Sequence, residues 1–415
     1  MHTKLLRTCA LLGVLSFLLT AAVAPSFDWP QWRGPHRDGS ISASAEPKSW
    51  PEKLKPRWKI QVGEGHSSPI LADGRIFVFT RQRDWETVSA IDPRTGKVLW
   101  QQSYPAPYSI NFAAVRHGAG PKSTPAFDTG RLYTFGISGI LTSWNAGTGT
   151  IRWQKEFSKR FPETSPLFGT AMSPLVDSGL VIIHSGGNNH GALTAFDAES
   201  GAVKWQWDGD GPGYASPVVA NFGGTRQVIT ETQSNVIGVS ELDGRLLWRI
   251  PFTTQYVQNI PTPLIAGDRV IVSGLSKGVM AVKPKLKDGK WSVETIWRNQ
   301  SFSIYMSSPV REGHLLFGFS HTKKGQFFCL NAADGHTIWS SDPRQGDNAA
   351  LVVTGGNLIA LKDDGELIVA HAGGKGFEPL RRYTVADSPT WAHPLLLPDG
   401  VVIKDATTLA LLKTE

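Results

Sequence analysis

Tryptophan recurs along this chain at a spacing that few folds can accommodate. Seven tryptophans follow one another at intervals of 42, 53, 52, 43, 49 and 42 residues. They are Trp58, Trp100, Trp153, Trp205, Trp248, Trp297 and Trp339. Periods of about 40 to 50 residues are typical of β-propeller blades. The chain is also rich in turn-forming residues, with 43 Gly and 27 Pro, so the spacing predicts short strands joined by turns.

A short turn motif precedes most of these tryptophans. In the first copy Asp92 begins the turn and Gly96 ends it, four residues before Trp100. Related segments stand at 144–149, 195–201 and 330–335. An Asp or Asn side chain bonds to nearby backbone and starts the turn, and Gly accepts the positive φ at its end. The tryptophan then falls on the returning strand, where we expect its ring to pack against the next blade.

A second motif, Ser or Thr followed by Pro, marks the start of most repeats. It occurs at Ser68, Thr124, Ser173, Ser216, Thr262 and Ser308, with His393 before the Pro of the last copy. Apolar residues follow each copy, as expected for a buried strand. One further start, at Asn348, lacks the Pro. The sequence therefore contains eight repeat starts.

Each repeat predicts four short strands, but the last has room for only three. In the first repeat the strands are expected near 67–72, 75–80, 87–92 and 97–102, and in the last near 393–397, 400–404 and 408–413. Segment 56–62 is the unpaired strand that can complete the last blade. We predict an all-β fold, an eight-bladed β-propeller of four-stranded blades whose ring is closed by the N-terminal strand. The seventh repeat departs from the pattern, because residues 380–385 stand where a Trp strand is expected.

The N-terminus reads as a secretory signal. Lys4 and Arg7 precede an apolar run from Cys9 to Ala24 that ends in small residues. We predict a signal peptide at 1–24, an N-terminal arm at 25–55 and the propeller at 56–415, and hence a periplasmic or secreted protein. An uncleaved anchor is the alternative, although the run is short for a stable membrane span.

Charge and cysteine content narrow the classes of partner. The net charge is +7, but no run of Lys and Arg exceeds a pair, so we expect no nucleic-acid binding. Beyond the signal only Cys329 remains, in an apolar stretch, which predicts a buried thiol and no intramolecular disulfide. We expect a monomer.

The repeat resembles that of the PQQ-repeat propellers from about residue 56 to the end. Its Asp-x-x-Thr-Gly-x-x-x-Trp form, present from Asp92 to Trp100, is characteristic of them. The opening segment from Trp29 to Pro35 is similar to the start of many exported bacterial members. The superfamily includes quinoprotein dehydrogenases and the barrel-assembly lipoprotein of the bacterial outer membrane. Cys9 is not preceded by a lipobox, which departs from the lipoprotein.

The resemblance to the dehydrogenases does not extend to their site. Those enzymes hold the quinone against two adjacent cysteines and bind calcium through carboxylate and amide ligands, and this chain has no adjacent cysteines. We therefore predict no cofactor, with PQQ as the less favoured alternative. The string from Gly274 to Gly278 matches a nucleophile elbow but lies between two strands, so it predicts a hairpin. The segment from Asp208 to Gly213 predicts a turn between blades rather than a calcium loop, and no cluster has zinc spacing, so no metal is predicted.

The remaining candidates lie in loops that a propeller brings to one face, namely the connections between blades and the loops joining second and third strands. The candidate binding residues are Arg81, Arg83, Trp85, Tyr108, Asn111, Arg116, His117, Asn188, Asn189, His190, Gln233, Tyr256, Asn259, Tyr305, His321, Trp391 and His393. Each taken alone can be an ordinary loop residue, but aromatic, amide and cationic groups together are typical of binding surfaces. The connection from Gln102 to Lys122 is the main candidate. Its alternative role is to plug the channel mouth, with Phe112 buried.

The sequence thus favours a non-catalytic binding or scaffold module outside the cytoplasm. We expect its loop-rich face to bind a protein or a carbohydrate-like ligand. The alternative is an enzyme with its site in the funnel, either a PQQ-dependent oxidoreductase or a sugar-active hydrolase. No catalytic residue is predicted.

Overall fold

A computed structural model of the protein describes residues 28–42 and 46–415. The predicted signal peptide at 1–24 lies outside the described residues. The described chain contains 33 strands and three short 3-10 segments, at Phe112–His117, Gln255–Val257 and Thr322–Lys324. None of these segments has the length and apolar character needed to span a bilayer.

The strands form eight sheets in chain order, as the repeat predicts. Blade one contains β3 (Ile70–Ala72), β4 (Arg75–Gln82), β5 (Trp85–Ile91) and β6 (Val98–Pro105), and blade two contains β7 (Ala126–Asp128), β8 (Arg131–Phe135), β9 (Leu141–Asn145) and β10 (Ile151–Lys155). Blade three contains β11 (Leu175–Asp177), β12 (Leu180–Gly187), β13 (His190–Asp197) and β14 (Val203–Trp207), and blade four contains β15 (Val218–Phe222), β16 (Thr225–Glu231), β17 (Asn235–Ser240) and β18 (Leu246–Pro251). Blade five contains β19 (Leu264–Ala266), β20 (Arg269–Gly274), β21 (Gly278–Lys287) and β22 (Lys290–Asn299), and blade six contains β23 (Val310–Glu312), β24 (Leu315–Ser320), β25 (Gln326–Asn331) and β26 (Thr337–Ser340). Blade seven contains β27 (Ala349–Thr354), β28 (Asn357–Lys362), β29 (Glu366–His371) and β30 (Pro379–Thr384), and β1 (Ser40–Ile41) is added at its inner edge. Blade eight contains β31 (Leu395–Leu397), β32 (Gly400–Lys404) and β33 (Thr408–Lys413), and β2 (Lys55–Gln61) is its fourth strand. The eight-bladed propeller predicted from the sequence is confirmed.

The N-terminal strand closes the ring. β2 pairs antiparallel with β33, from Lys55 opposite Lys413 to Gln61 opposite Thr408. The eighth blade therefore has four strands, three from the C-terminus and one from the N-terminus. This pairing joins the first and last parts of the propeller and removes two free sheet edges.

The repeat tryptophans link each blade to the next. Six of them donate their indole N–H to a backbone carbonyl in the turn of the following blade: Trp58 to Pro93, Trp100 to Ala146, Trp153 to Ala198, Trp205 to Glu241, Trp297 to Ala332 and Trp339 to Gly373. Trp248 instead bonds to Gln227 within its own blade. The rings of several lie against the turn glycine, as Trp205 does at Gly244, where a Cβ would clash. A glycine is therefore needed there for close approach as well as for its positive φ.

The seventh blade lacks the tryptophan, and its outer strand packs against the N-terminal arm instead. Tyr383 on β30 packs near Trp50, with ring centroids 6.2 Å apart. Its hydroxyl bonds to the carbonyl oxygen of Pro51, 2.5 Å away. The N-terminal arm therefore contacts the outer strand of the blade that lacks the repeat tryptophan.

Hydrogen bonds between the motifs that open the repeats join five of the eight pairs of neighbouring blades around the channel. The backbone N–H of Ser68 donates to the Thr124 hydroxyl, that of Thr124 to Ser173, and that of Ser173 to Ser216. The same contact joins Thr262 to Ser308 and His393 to Ser68. A short side chain with a hydroxyl is therefore used at this position to join the inner ends of neighbouring blades.

The N-terminal arm closes one end of the channel, which the sequence did not predict. Trp29 forms a bridge with Leu71 of blade one, and Ser40–Ile41 pairs with β27 of blade seven. Between them the Arg37 guanidinium donates to the carbonyl oxygens of Pro217, Pro174 and Ser173 at 2.7, 2.9 and 3.1 Å. Arg33 reaches the carbonyl of Pro309 in the same way. Both arginines are buried. The arm therefore plugs the channel at the face that carries the short turns joining the first to the second and the third to the fourth strand of each blade.

Candidate functional site

A cavity of about 340 Å³ opens on the opposite, loop-rich face of the propeller. We define this face by the connections between blades and the loops joining second and third strands. The indole of Trp32 in the arm contributes to the cavity wall and donates to the Thr262 hydroxyl, 2.8 Å away. The propeller therefore presents a funnel that is open at the loop-rich face and closed by the arm at the other.

One position in each repeat supplies much of the wall. The residue two places before the Ser/Thr-Pro motif lines the cavity in seven repeats: His66, Lys122, Ala171, Tyr214, Ile260, Met306 and Trp391. This position comes just before the chain enters the innermost strand, so it lies near the mouth of the channel in each blade. We call these residues the funnel ring.

Four of the predicted binding residues meet at this cavity: Arg116, His117, Tyr305 and Trp391. The Arg116 guanidinium lies 6.0 Å from the centre of the Trp391 ring, and the His117 and Trp391 ring centres are 4.7 Å apart. Arg116 Nε lies 3.1 Å from His117 Nε2. These contacts join the first interblade connection to the seventh, so sequence-distant groups share one site.

Two other predicted residues sit close to this group. His393 packs edge-on against Trp32 with ring centres 4.5 Å apart, and burial lowers the pKa of His393 to about 3. His321 packs against Tyr305, with ring centres 5.7 Å apart, and its Nδ1 lies 3.0 Å from the carbonyl oxygen of Ser303. Both rings support cavity residues from behind.

Several predicted residues hold the loops together. Asn259 is buried and donates to the carbonyls of Thr232, Gln233 and Phe252. The side chains of Gln233 and Asn189 bond to each other at 2.6 Å. The side-chain oxygen of Asn188 accepts from the Leu167 N–H and that of Asn111 from the Ala113 N–H. Hydrogen bonds within the protein therefore satisfy part of the donor and acceptor capacity of these side chains.

The hairpin of blade one differs from its predicted form. The sequence placed Arg81 in a loop, but β4 extends to Gln82, and Arg81 is buried with its guanidinium bonded to the Ala106 carbonyl at 2.9 Å. Only Arg83 and Asp84 form the turn, and Trp85 beside them is exposed. The remaining predicted residues, Tyr108, His190 and Tyr256, lie in or beside loops of this same face without lining the cavity.

The first interblade connection is shorter than predicted. Strand β6 continues to Pro105, so Tyr104 is buried in the sheet and its hydroxyl donates to Glu86, 2.6 Å away. The connection proper contains the 3-10 segment Phe112–His117. Phe112 is 88% exposed, so the alternative in which it is buried as a channel plug is wrong. The plug comes from the arm instead.

Sequence reasoning missed Trp32, His66, Lys122, Phe168 and Tyr214 as cavity residues. The funnel ring includes His66, Lys122 and Tyr214, so their shared position in the repeat could have identified them from the sequence. Their chemical types differ from blade to blade, and a search by composition does not reveal the shared position. Trp32 had no such signal, because the arm lies outside the repeats.

The comparisons with known proteins agree with this architecture. A family model described as "Outer membrane protein assembly factor BamB" matches residues 50–109, 84–341 and 294–373. The chain belongs to this family. A BamB from Yersinia pestis is 27% identical over 330 residues, which cover 75% of this chain and 76% of the relative.

Quinone-dependent enzymes share the repeat with this BamB-family chain. The dehydrogenase subunit of the alcohol dehydrogenase (quinone) of Acetobacter aceti is 31% identical over 169 residues, or 37% of this chain and 21% of the enzyme. The chain thus matches about a fifth of that relative's length. The crystal structure of the quinohemoprotein alcohol dehydrogenase from Comamonas testosteroni superposes with a TM-score of 0.68 at 14% identity, covering 95% of this chain and 81% of the enzyme. This likeness shows a shared fold.

The side chains of the funnel do not fit a quinone held with calcium. No Asp or Glu is among the described residues that line the cavity, whereas calcium takes oxygen ligands with carboxylates among them. Within residues 28–42 and 46–415 no group of three His, Cys, Asp or Glu side chains is placed to hold a metal. Cys329 is buried in blade six, where burial raises the pKa of its thiol to about 12.

Proposed function

We propose that this protein is a non-catalytic binding module, exported to the periplasm or secreted, that binds a protein partner with its loop-rich face. Membership of the BamB family supports this proposal, because the relatives of that name are outer membrane protein assembly factors. The predicted signal peptide supports export.

The observation that carries the proposal is a set of exposed apolar side chains beside the funnel mouth. Phe112 and Val115 are exposed on the 3-10 segment whose Ala113 and Ala114 line the cavity. Leu167 is exposed next to the cavity residue Phe168, and Tyr256 is exposed two residues before Gln258. We call Phe112, Val115, Leu167 and Tyr256 the apolar rim. Apolar and aromatic side chains gathered near a concave surface, with Arg116 among them, are typical of protein interfaces.

The chemistry of the funnel supports binding over catalysis. His66 and His117 line it, and no carboxylate among the described lining residues is available to orient either ring. Burial, together with nearby cations, lowers the pKa of His66 to about 3 and that of His117 to about 4. Imidazoles of such low basicity are weak bases at neutral pH.

Replacing Phe112 and Val115 together with Asp is expected to abolish capture of the partner while leaving the propeller folded. Surface substitutions usually change the free energy of unfolding by within about 0.5 kcal/mol, whereas a desolvated carboxylate at an interface opposes binding. The measurement is quantitative recovery of co-purified envelope proteins by affinity-tagged protein.

The matched control is Leu242→Asp. Leu242 is 89% exposed, like Phe112, but it lies in the turn between β17 and β18 on the opposite face. We expect this variant to recover the partner as well as the wild type does. Equal recovery by the rim variant would place the binding surface elsewhere.

The quinone enzymes motivate one test of the alternative function. Titration of the protein with PQQ and calcium is expected to give no saturable binding at micromolar concentrations. Reduction of a dye with alcohols or sugars as donors is expected to stay at the rate measured without protein. Micromolar binding together with turnover would replace the binding-module proposal with an oxidoreductase.

A further inference from the structure

The cavity wall is cationic and aromatic, and this combination goes beyond protein docking at the rim. Lys122 and Arg116 line it with His66 and His117, and no carboxylate is present among the lining residues that the structure describes. Cations that are gathered in a concave site without acidic partners create a positive potential there. Such a potential favours an anionic ligand.

Lys122 is the centre of this potential. Its Nζ donates to the carbonyl oxygen of Phe168 at 2.5 Å, and it makes no ion pair within the described part of the chain. An ammonium has three N–H donors, so two are left without a protein acceptor among these residues. Burial lowers the pKa of Lys122 to about 8. The protein therefore keeps a half-buried, incompletely bonded ammonium in the wall of an open cavity.

The surrounding charges reinforce Lys122. Lys404 is buried beside the funnel, where its Nζ donates to the carbonyls of Gly65 and Asp405. Burial lowers the pKa of Lys404 to about 8, and the negative charge of the Asp405 side chain opposes part of this shift. The charge of Lys404 helps to keep His66 neutral, as the charges of Lys122 and Arg116 help to keep His117 neutral. At neutral pH the positive charge is therefore carried by the lysines and Arg116, and the imidazoles are neutral hydrogen-bonding groups.

The other walls suit a ring. Phe168 and Tyr214 stand with ring centres 6.0 Å apart, and Tyr305, Trp391 and Trp32 complete the aromatic lining. The Tyr305 hydroxyl donates to the Gln258 side chain at 2.5 Å, and burial raises the pKa of both Tyr305 and Tyr214. These phenols thus remain neutral near pH 7, and their faces are apolar surfaces on which a planar group can pack.

We propose that the funnel binds a small organic anion, a single-ring compound carrying a carboxylate or a phosphate monoester, with the anionic group on Lys122 and the ring against the aromatic wall. The cavity volume of about 340 Å³ is within the range for small-molecule sites. Arg116 at the same wall can supply a second charged donor. The apolar rim surrounds this site, so a small anion and a protein partner would meet at one face.

Calorimetric titration with matched probes tests this site. Benzoate and phenyl phosphate carry the two anionic groups on one ring, benzyl alcohol is their neutral counterpart, glucose represents a carbohydrate, and inorganic phosphate lacks the ring. We expect saturable binding of one or both ring anions and at least tenfold weaker binding of the other three probes. Equal affinity for benzyl alcohol or glucose, or no binding of either ring anion at millimolar concentration, would overturn the proposal.

Variants of Lys122 identify the group that binds the charge. Lys122→Gln is expected to weaken binding of the ring anions at least tenfold, and Lys122→Arg to retain binding of phenyl phosphate. The control Lys290→Gln removes an equally positive but exposed lysine from the distant hairpin of blade five and should leave the affinity unchanged. Unchanged affinity in a folded Lys122→Gln variant would contradict the assignment.

The wild-type protein gives an independent readout. Because only the protonated ammonium attracts an anion, affinity is expected to fall by about tenfold or more between pH 7 and pH 9.5, as Lys122 and Lys404 lose their protons. Near pH 8, binding should be accompanied by proton uptake, visible as a dependence of the heat on the buffer's ionisation enthalpy. Affinity that stays constant over this range would show that these lysines do not hold the anion.

Discussion

Truncation through Val62 is expected to make the protein aggregate. The deletion removes β2, leaving β33 as an exposed edge at the point where blades eight and one must meet. It also removes Trp58, whose indole bonds to the turn of blade one. A long unpaired edge is a template for pairing with other chains. Size-exclusion chromatography and light scattering measure the effect.

A second truncation separates the closing strand from the arm. Deleting residues through Leu54 removes the arm and its arginines but keeps Lys55–Gln61. We expect this shorter deletion to lower stability and to leave a monomer. If the longer truncation also stays monomeric, with the melting temperature of the shorter one, closure by β2 contributes nothing to the ring.

Arg37→Ala is expected to lower the free energy of unfolding by about 3 kcal/mol, because hydrogen bonds to charged groups contribute about 1.5–3 kcal/mol each and desolvation offsets part of their sum. The guanidinium joins blades three and four through three backbone carbonyls and also donates to the Gln31 side chain. Burial of the charged guanidinium lowers its pKa to about 9. The hydrogen bonds offset this free-energy cost of desolvation. Denaturant unfolding followed by tryptophan fluorescence provides the measurement.

Two further variants make this result interpretable. Arg37→Lys should lose most of the same stability, because an ammonium cannot reproduce the planar set of donors. Arg83→Ala removes an arginine from an exposed turn and should change the free energy of unfolding by less than about 0.5 kcal/mol. An Arg37→Ala protein as stable as the wild type would show that the contacts of the arm through Arg37 do not stabilise the propeller.

The repeat made most of the fold predictable, and the reason is physical. Most blades present the same turn and the same indole to their neighbour, so Asp92, Gly96 and Trp100 recur in kind along the chain. The shortage of one strand in the last repeat was also visible, because strand length and turn spacing leave no room for a fourth. Ring closure then followed from the single orphan strand around Trp58.

The plug could not be predicted in the same way. Arginines such as Arg33 and Arg37 are rarely buried, and here their partners in the propeller are backbone carbonyls 136 to 276 residues away. Backbone carbonyls are present at every residue and leave no mark in the sequence. Composition and spacing therefore indicated an arm without indicating that it enters the channel.

The candidate site was predicted in part. The loop-rich face was identified from topology, and Arg116, His117, Tyr305 and Trp391 do meet at its cavity. Lys122 was named only as the end of a loop, because a lone lysine is usually solvated and its burial depends on the three-dimensional packing of other blades.

Crosslinking in living cells distinguishes the loop-rich face from the opposite face as the binding surface. A photoreactive amino acid would replace Phe112 or Tyr256 on the apolar rim, and Leu242 or Val203 near the turns of the opposite face, all four of which are exposed. We expect a discrete adduct with one envelope protein from the two rim positions and none from the other two. Adducts from Leu242 and Val203, with none from Phe112 and Tyr256, would contradict the assignment of the loop-rich face as the binding surface.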